Sequence, residues 1–261
     1  MVTTVAEIRE MLSKAGEEEL AAMERSLADD PRKGVRSALV AARKRLEAQK
    51  AETARVESLV AFDRSHLPEG EGLVVGLDEV GRGAVAGPLA VGAVVLPREC
   101  LIMHLNDSKQ LTPEMREQVA ACVKERALCW TVAYVEPADI DRDGMSSSLR
   151  KAFRRALDAV EAAGLHADVV LVDGNPLGMD EREVNVVKGD SKSACIAAAS
   201  VVAKVERDRL MTNLSSTFPQ YGFSENKGYA SQQHRDAIRE FGLTSAHRSS
   251  FCNSFLQETL F

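Results

Sequence analysis

From Gly72 onward the sequence alternates short, valine-rich apolar runs with longer stretches of helical periodicity. This alternation is the strongest constraint on the fold that the chain can adopt. The runs are bounded by glycine, proline or charged residues, as strands usually are. The predicted strands are 73–77, 89–96, 128–135, 169–172 and 184–187, and the predicted helices are 113–126, 138–163, 192–214 and 231–241. Five strands interleaved with helices indicate an α/β domain.

The link between the first two predicted strands sets the type of sheet. Residues 78–88 are too few for a crossover helix, and parallel neighbours need a connection of a dozen or more residues. We therefore expect these two strands to pair antiparallel. The prediction is a mixed five-stranded sheet flanked by helices, with a C-terminal helical part.

Residues 1–68 differ from the rest of the chain, since they carry almost no strand signal. We interpret them as an N-terminal helical extension, joined through a linker at 65–70 to a main domain at 72–261. The extension is acidic over its first thirty positions and basic over 32–50.

The reversal of charge predicts two helices in this extension. Asp29 or Asp30 as the cap, with Pro31 as the first helical residue, places the start of the basic helix. The acidic and basic helices could form a solvated hairpin. Alternatively, the basic helix could contact phosphates.

Composition excludes several classes of protein. No window approaches the ~18 consecutive apolar residues that a membrane span needs, and the first residues lack the pattern of a secretory signal. The five cysteines include no CxxC pair, which fits a reduced compartment and argues against zinc. We therefore expect a cytoplasmic protein without membrane contact. We also expect it to be a monomer. The net charge of −6 still permits a local basic groove.

Acidic residues follow two of the predicted strands. Asp78 and Glu79 come directly before a glycine turn, and Asp173 ends the run 169–172. Neighbours on a strand point to opposite faces, so the strand must end or bend for Asp78 and Glu79 to share a site. Taken alone, such acids often mark a strand exit or an Asp-Gly turn. Asp190 could likewise be the N-cap of the following helix.

Several carboxylates brought together without histidine or cysteine would form a site of hard oxygen ligands. Such a site suits Mg²⁺ or Mn²⁺ rather than Zn²⁺. Two such ions can activate water and stabilise the leaving oxygen of an in-line phosphoryl displacement. The acids therefore favour a phosphodiester nuclease.

The chain resembles ribonuclease HII over about residues 72–251, in six motifs that occur in the right order. The matching segments are GLDEVGRGAVAGP (76–88), DSKQL (107–111), LVDGN (171–175), KGDSKSACIAAASVVAKVERDR (188–209), KGYASQQH (227–234) and HRSSF (247–251). DPRKGV at 30–35 is similar to the extension of some bacterial members. The resemblance implies the ribonuclease H-like mixed sheet.

By this resemblance the metal-binding acids are Asp78, Glu79 and Asp173, and the fourth active-site acid is Asp190. The implied cofactor is Mg²⁺ or Mn²⁺. The implied reaction is endonucleolytic hydrolysis of RNA in RNA–DNA hybrids, including cleavage 5′ to single ribonucleotides embedded in duplex DNA. Such cleavage leaves a 3′-hydroxyl and a 5′-phosphate.

The resemblance also implies residues that bind the substrate. The turn Gly81-Arg82-Gly83 matches the element that reads the junction between ribose and deoxyribose. Tyr229 matches the aromatic residue beside that junction, and Lys109 matches a residue near the substrate phosphate. We therefore expect these residues to contact the substrate, as the resemblance implies.

Some positions next to these motifs depart from the family pattern or need their own interpretation. Ala84-Val85 stands where Pro-Leu is more common, and Ala230-Ser231 stands where a small residue or proline followed by threonine is usual. Ser231 keeps a hydroxyl. Gly228 is expected to let the nucleic-acid strand come close.

Two other functions remain open at this stage. One is that of ribonuclease HIII, which needs a run of ribonucleotides; the Gly-Arg-Gly turn and Tyr229 favour ribonuclease HII instead. The other is non-catalytic binding of hybrids, which four mutually repelling acids disfavour. His234 and His247 are interpreted as local hydrogen-bonding or packing residues and not as general bases.

Overall fold

The computed structural model describes residues 4–257, and contacts between residues divide the chain into two compact units. The first ends at Arg55 and the second begins at Val56, so the division falls within the long helix α3 (Lys33–Arg64). The domain boundary expected at 68–72 remains a prediction. None of the helices described within residues 4–257 is long and apolar enough to cross a membrane.

The first unit contains three helices rather than the expected two. The acidic segment forms α1 (Val5–Lys14) and α2 (Glu17–Ser26), which are separated at Ala15 and Gly16. The basic helix begins at Lys33, two residues later than predicted from Pro31. Asp30 accepts a hydrogen bond from the Arg32 N–H (2.9 Å) and thereby holds a turn ahead of the helix.

Ion pairs join the acidic and basic helices of this unit. Arg43 contacts Glu24 at 2.7 Å, and Lys50 pairs with Glu17. The apolar side chains between the helices include Ile8, Leu12, Ala15, Leu20, Val35, Ala38 and Ala42. These contacts agree with the hairpin in which the acidic and basic helices pair with each other, rather than with a basic helix left free to contact phosphates.

The second unit contains the mixed five-stranded sheet that the sequence predicted. Its strands are β1 (Val74–Val80), β2 (Leu89–Val95), β3 (Cys129–Val135), β4 (Val169–Asp173) and β5 (Glu183–Val186). Their order across the sheet is β3-β2-β1-β4-β5. The pair β1–β2 is antiparallel, as expected, whereas β4 runs parallel to both β1 and β5.

The helices of the second unit follow the predicted segments with one interruption. They are α4 (Pro113–Arg126), α5 (Pro137–Asp143), α6 (Met145–Ala162), α7 (Ala194–Thr217), α8 (Phe223–Asn226), α9 (Gln232–Phe241) and α10 (Ser249–Gln257). The single helix predicted over 138–163 is wrong, because Gly144 adopts a positive φ of 77° and separates α5 from α6.

Hydrophobic clusters cover both faces of the sheet. On one face α6 packs through Leu149, Phe153 and Leu157 against β1 and β2. On the other face the small residues of α7 lie almost against the strands. A Cβ atom on Gly76 would lie 2.2 Å from the Cys195 carbonyl carbon. The alanine- and serine-rich composition of α7 is therefore a requirement of close helix–sheet packing.

The last turn of α3 also belongs to the second unit. Leu59 packs in its core, and the buried Asp63 accepts a hydrogen bond from the Cys195 N–H (2.9 Å) at the start of α7. Burial raises the pKa of Asp63 to about 6, although hydrogen bonds from Ser193 and Cys195 oppose the rise. The predicted extension therefore supplies a structural contact to the start of α7.

We predict that Gly76→Ala lowers the free energy of unfolding by about 3 kcal/mol, the upper end of the usual cost of overpacking, because its new methyl group meets backbone rather than a flexible side chain. Urea unfolding followed by circular dichroism measures the loss. Gly83→Ala is the matched control, since no atom lies within 4 Å of the place that a Cβ would take there. Equal stability of the two variants would contradict the packing argument.

We predict that Asp63→Asn stabilises the protein at neutral pH. With a folded pKa of about 6 and an ordinary value of 3.8, the folded protein retains a proton that the unfolded chain has released, so stability falls as pH rises between these values. The amide keeps the acceptor for Cys195 but removes the charge. The expected gain is about 3 kcal/mol at pH 7 and close to zero at pH 3.5. Urea unfolding at both pH values tests it, and a gain independent of pH would contradict it.

Candidate active site

The site predicted from the sequence lies where the neighbouring parallel strands β1 and β4 part. Their last paired residues are Leu77 and Val172. The next residues along the two strands are Asp78 and Asp173, so two of the predicted acids stand at the same carboxyl edge of the sheet. Ligands of α/β sheets bind at this edge, particularly where the strand order switches.

Asp78 and Glu79 lie on a regular strand and therefore on opposite faces of the sheet. The strand does not bend at these residues, because β1 continues to Val80 in register with β2, so the two acids can share a site only around the end of the strand. Asp78 bonds with Ser200 of α7, whereas Glu79 and Asp173 line a groove of about 370 Å³ beside α6. The candidate site thus spans both faces of the strand end.

Asp78 is the most deeply buried of the acids, with 5% of its surface exposed. Burial raises the pKa of Asp78 to about 8, a hydrogen bond with Ser200 opposes the rise, and the neighbouring carboxylates add to it. The Ser200 and Ser108 hydroxyl oxygens lie 3.1 Å apart, so the two hydroxyls are also hydrogen-bonded to each other. A nearby cation would favour the charged form of this carboxylate.

Asp173 connects β4 to the loop that carries Asp190. The Gly189 N–H donates to Asp173 Oδ1 at 2.6 Å. Asp190 lies in the short 3-10 turn that follows, and its interpretation as a helix N-cap is wrong, because Ser193 caps α7 by accepting from the Ile196 N–H (3.1 Å). Burial raises the pKa of Asp190, and the charge of Asp173 contributes.

Asp107 is a fifth acid at this edge, and sequence reasoning missed it. Its carboxyl shares a hydrogen bond with Asp190 and adds to the rise in the pKa of Asp190. Lys109 Nζ lies 3.9 Å from Asp107 Oδ1. Burial lowers the pKa of Lys109, but the charges of Asp107, Asp78, Asp190 and Asp173 more than offset this, so the net shift is upward. Only membership of the DSKQL segment could have pointed to Asp107.

The donors at this edge fit a hard divalent cation in their chemistry. Four predicted acids are electrostatically coupled, and histidine and cysteine are not among the groups that perturb Asp78. Among residues 4–257, however, no three acidic, histidine or cysteine side chains form a ready-made metal cage.

The predicted junction-reading turn is held from behind by a buried arginine. Gly81 has a φ of 85°, and a Cβ atom there would lie 2.2 Å from Arg207 Nε. Gly83, by contrast, has no atom within 4 Å of such a position. Arg82 Nη1 lies 3.5 Å from Glu79 Oε1, so the turn is adjacent to the acids.

Tyr229 follows Gly228, whose carbonyl accepts hydrogen bonds from the Val85 and Ala86 N–H groups just after this turn, and is 41% exposed. Gly228, which precedes it, has a φ of 85°, and a Cβ there would lie 2.2 Å from the Ala86 carbonyl oxygen. The glycine is needed for packing against the turn. The expectation that it lets the nucleic-acid strand come close stays a prediction. The hydroxyl of Ser231 caps α9 by accepting from the His234 N–H (3.2 Å).

The sheet order and the carboxylates at the ends of β1 and β4 define a protein of the ribonuclease H-like class. The crystal structure of the ribonuclease H2 from Pyrococcus horikoshii OT3 superposes with a TM-score of 0.60 at 25% identity, covering 71% of this chain and 98% of that one. The family model for ribonuclease HII matches residues 75–254, and the model for the ribonuclease HII N-terminal domain matches residues 4–66. The chain belongs to the ribonuclease HII family.

Two further comparisons agree with this membership. Ribonuclease HII of Ruminiclostridium cellulolyticum is 40% identical over 207 residues, which cover 79% of this chain and 80% of the relative. The structure of Bst-RNase HIII in complex with Mn²⁺ has a TM-score of 0.56 at 20% identity, covering 72% of this chain and 70% of that one, and shows the shared fold alone. The predicted fold class and enzyme class, a ribonuclease H, are confirmed.

Proposed function

We propose that this protein is an endonuclease that hydrolyses RNA in RNA–DNA hybrids and also cleaves 5′ to a single ribonucleotide embedded in duplex DNA. Cleavage would leave a 3′-hydroxyl and a 5′-phosphate. The observation that carries the proposal is the juxtaposition of coupled carboxylates at the ends of β1 and β4 with the turn 81–83 and the half-exposed Tyr229.

The acids Asp78, Glu79 and Asp173 would hold a divalent cation, Mg²⁺ or Mn²⁺, with Asp190 as the fourth acid of the site. When bound, the cation supplies Lewis-acid activation of water and stabilises charge on the leaving oxygen. The burial and the neighbouring carboxylates that raise the pKa of Asp78, together with the all-oxygen donor set, support this role. A ribonuclease HIII of the same fold has been crystallised in complex with Mn²⁺.

The protein's own residues would position the substrate around these acids. Ser200 fixes the orientation of Asp78, and the Gly189 N–H fixes Asp173. The side chain of Lys109 is 80% exposed and interacts electrostatically with the acids. This position suits a contact to the phosphate beside the scissile bond. Such a contact positions the backbone but reads no sequence.

The turn Gly81-Arg82-Gly83 and Tyr229 would recognise the ribonucleotide itself. The 2′-hydroxyl distinguishes the two backbones at a single nucleotide. Backbone groups at Gly83 can approach that hydroxyl, because no side chain occupies the space above it. The Tyr229 ring offers a flat apolar face to the neighbouring sugar.

The remaining parts of the proposal concern the setting of the enzyme. We treat 1–68 as an extension of the catalytic domain at 72–261 and expect a monomer in the cytoplasm. All five cysteines are free, which suits a reducing compartment. A ribonuclease HIII-like preference for runs of ribonucleotides, or binding without cleavage, would be the outcome if single ribonucleotides were not cut.

Asp173→Asn is expected to abolish cleavage of a DNA duplex containing one ribonucleotide while leaving the fold intact. An amide keeps the shape and the acceptor for Gly189 but removes the charge that a cation needs. Asp78→Asn should behave in the same way. The measurement is gel-based cleavage at saturating Mg²⁺, with Asp158→Asn, a surface change, as the matched control. Turnover within a few-fold of wild type in either site variant would refute the proposed metal site.

Tyr229→Ala is expected to lose activity on the single-ribonucleotide substrate more than it loses affinity for that duplex. The reason is that phosphate contacts carry most of the affinity, whereas Tyr229 would contact only the junction. Cleavage rates and a fluorescence binding titration in Ca²⁺ give the two losses. Tyr229→Phe keeps the ring and serves as the control. Equal losses in rate and affinity would assign Tyr229 to packing.

A further inference from the structure

Two buried histidines form a hydrogen-bonded chain that ends on the backbone of Tyr229. His234 and His247 are 0% and 4% exposed, and their Nε2 atoms lie 3.1 Å apart. The remaining ring nitrogen of each is also hydrogen-bonded, and that of His247 lies 2.9 Å from the Thr244 hydroxyl oxygen. His234 Nδ1 lies 2.9 Å from the Tyr229 carbonyl oxygen, and the Thr244 N–H donates to His247 Nδ1 at 3.0 Å.

The backbone donor fixes the tautomer of each ring. Because the Thr244 N–H can only donate, His247 Nδ1 accepts, and the hydrogen of a neutral His247 lies on Nε2. That hydrogen points at His234 Nε2, which therefore accepts. His234 then carries its hydrogen on Nδ1 and donates it to the Tyr229 carbonyl. The chain of donors runs in one direction, from Thr244 to Tyr229.

This chain requires both rings to be neutral. A proton added to His234 would set two N–H groups against each other across the 3.1 Å contact, and one added to His247 would set its Nδ1–H against the Thr244 N–H. The surroundings are apolar, since Tyr221 and Phe223 lie edge-on to His234. Burial lowers the pKa of His247 to about 4, with His234 contributing, and burial also lowers the pKa of His234.

The segment that carries His247 also holds the turn at 81–88. Arg248 donates through Nε and Nη2 to the Gly87 carbonyl (3.0 and 2.8 Å) and through Nη1 to the Arg82 carbonyl (3.1 Å). The Gly87 N–H donates to the Ala246 carbonyl at 2.7 Å. One short segment, 244–248, is therefore bonded both to the turn and, through the histidine pair, to Tyr229.

We propose that His234 and His247 are positioning residues that set the place of Tyr229 relative to the turn 81–83 and thereby set selectivity for a single ribonucleotide over a run of ribonucleotides. This inference rests on the proposed function of Tyr229 and the turn. A single ribose offers one 2′-hydroxyl, so turn and ring must be correctly spaced at one nucleotide. A continuous RNA strand offers many further contacts and tolerates a displaced ring.

Two substitutions of His234 separate positioning from packing. In His234→Asn the amide nitrogen occupies the place of Nδ1 and keeps the bond to the Tyr229 carbonyl. In His234→Gln the amide lies where Nε2 was, so it keeps the contact to His247 and loses Tyr229. Asparagine leaves the larger void, so a packing role makes it the more damaging change, whereas the positioning role makes glutamine more damaging to selectivity.

The measurement is the ratio of kcat/KM on a DNA duplex with one ribonucleotide to kcat/KM on a continuous RNA–DNA hybrid. His234→Gln is expected to lower this ratio roughly three- to tenfold, the usual worth of one hydrogen bond, and His234→Asn by less than twofold. An unchanged ratio in His234→Gln, or a larger fall in His234→Asn, would overturn the positioning role. Failure of the wild-type protein to cut the single-ribonucleotide duplex would instead overturn the proposed function.

A second measurement uses the wild-type protein and does not depend on the folding of a variant. Nitrogen-15 NMR of the histidine side chains at pH 7 should show His234 as the Nδ1–H tautomer and His247 as the Nε2–H tautomer, both neutral. These states are the ones that the direction of the hydrogen-bonded chain requires. The opposite tautomers, or a charged ring, would overturn the proposal.

Discussion

The close contact between α7 and the central strands is the constraint on which the site depends. Gly76 and Gly92 have no room for a Cβ, since one would lie 2.2 Å from Cys195 and 2.5 Å from the Ala199 carbonyl oxygen. At this separation a single helix supports the site at three levels. Its start follows the turn that carries Asp190, Ser200 bonds with Asp78 beneath the sheet edge, and Arg207 reaches the turn 81–88 from further along. A change in the distance between α7 and the sheet would therefore displace both the acids and the turn.

The turn 81–88 is held by two buried arginine side chains that donate hydrogen bonds to backbone oxygens. Arg207 and Arg248 are 0% exposed, and their guanidinium groups donate to carbonyls of the turn and of Lys227. Burial lowers the pKa of Arg248 to about 10 and also lowers that of Arg207. Burying such charges is costly unless every donor is satisfied. This arrangement leaves the N–H groups of the turn to other partners and gives the loop a definite shape without regular secondary structure.

Two buried carboxylates work against stability. Asp78 is buried among like charges, and its raised pKa measures how unfavourable the ionised form is there without a cation. Asp63, in the last turn of α3, is a second buried carboxylate, and one of its oxygens has no hydrogen-bond partner. The burial of Asp78 is explained by the cation that the acids are suited to bind. The burial of Asp63 is explained by the start of α7, where Asp63 accepts the hydrogen bond of the Cys195 N–H.

The sequence by itself determined the features that depend on local pattern. The strand and helix periodicities predicted the mixed sheet, and the motifs identified Asp78, Glu79, Asp173 and Asp190. Tertiary structure alone decided what depends on residues far apart in the chain: the separation of Asp78 and Glu79 onto two faces, the addition of Asp107, and the need for Gly228 against Ala86. The same holds for Arg248, which bonds to a turn more than 160 residues earlier. The physical reason is that backbone propensity and side-chain alternation act between near neighbours, whereas burial, charge coupling and the partner of a hydrogen bond are set only when distant segments pack together.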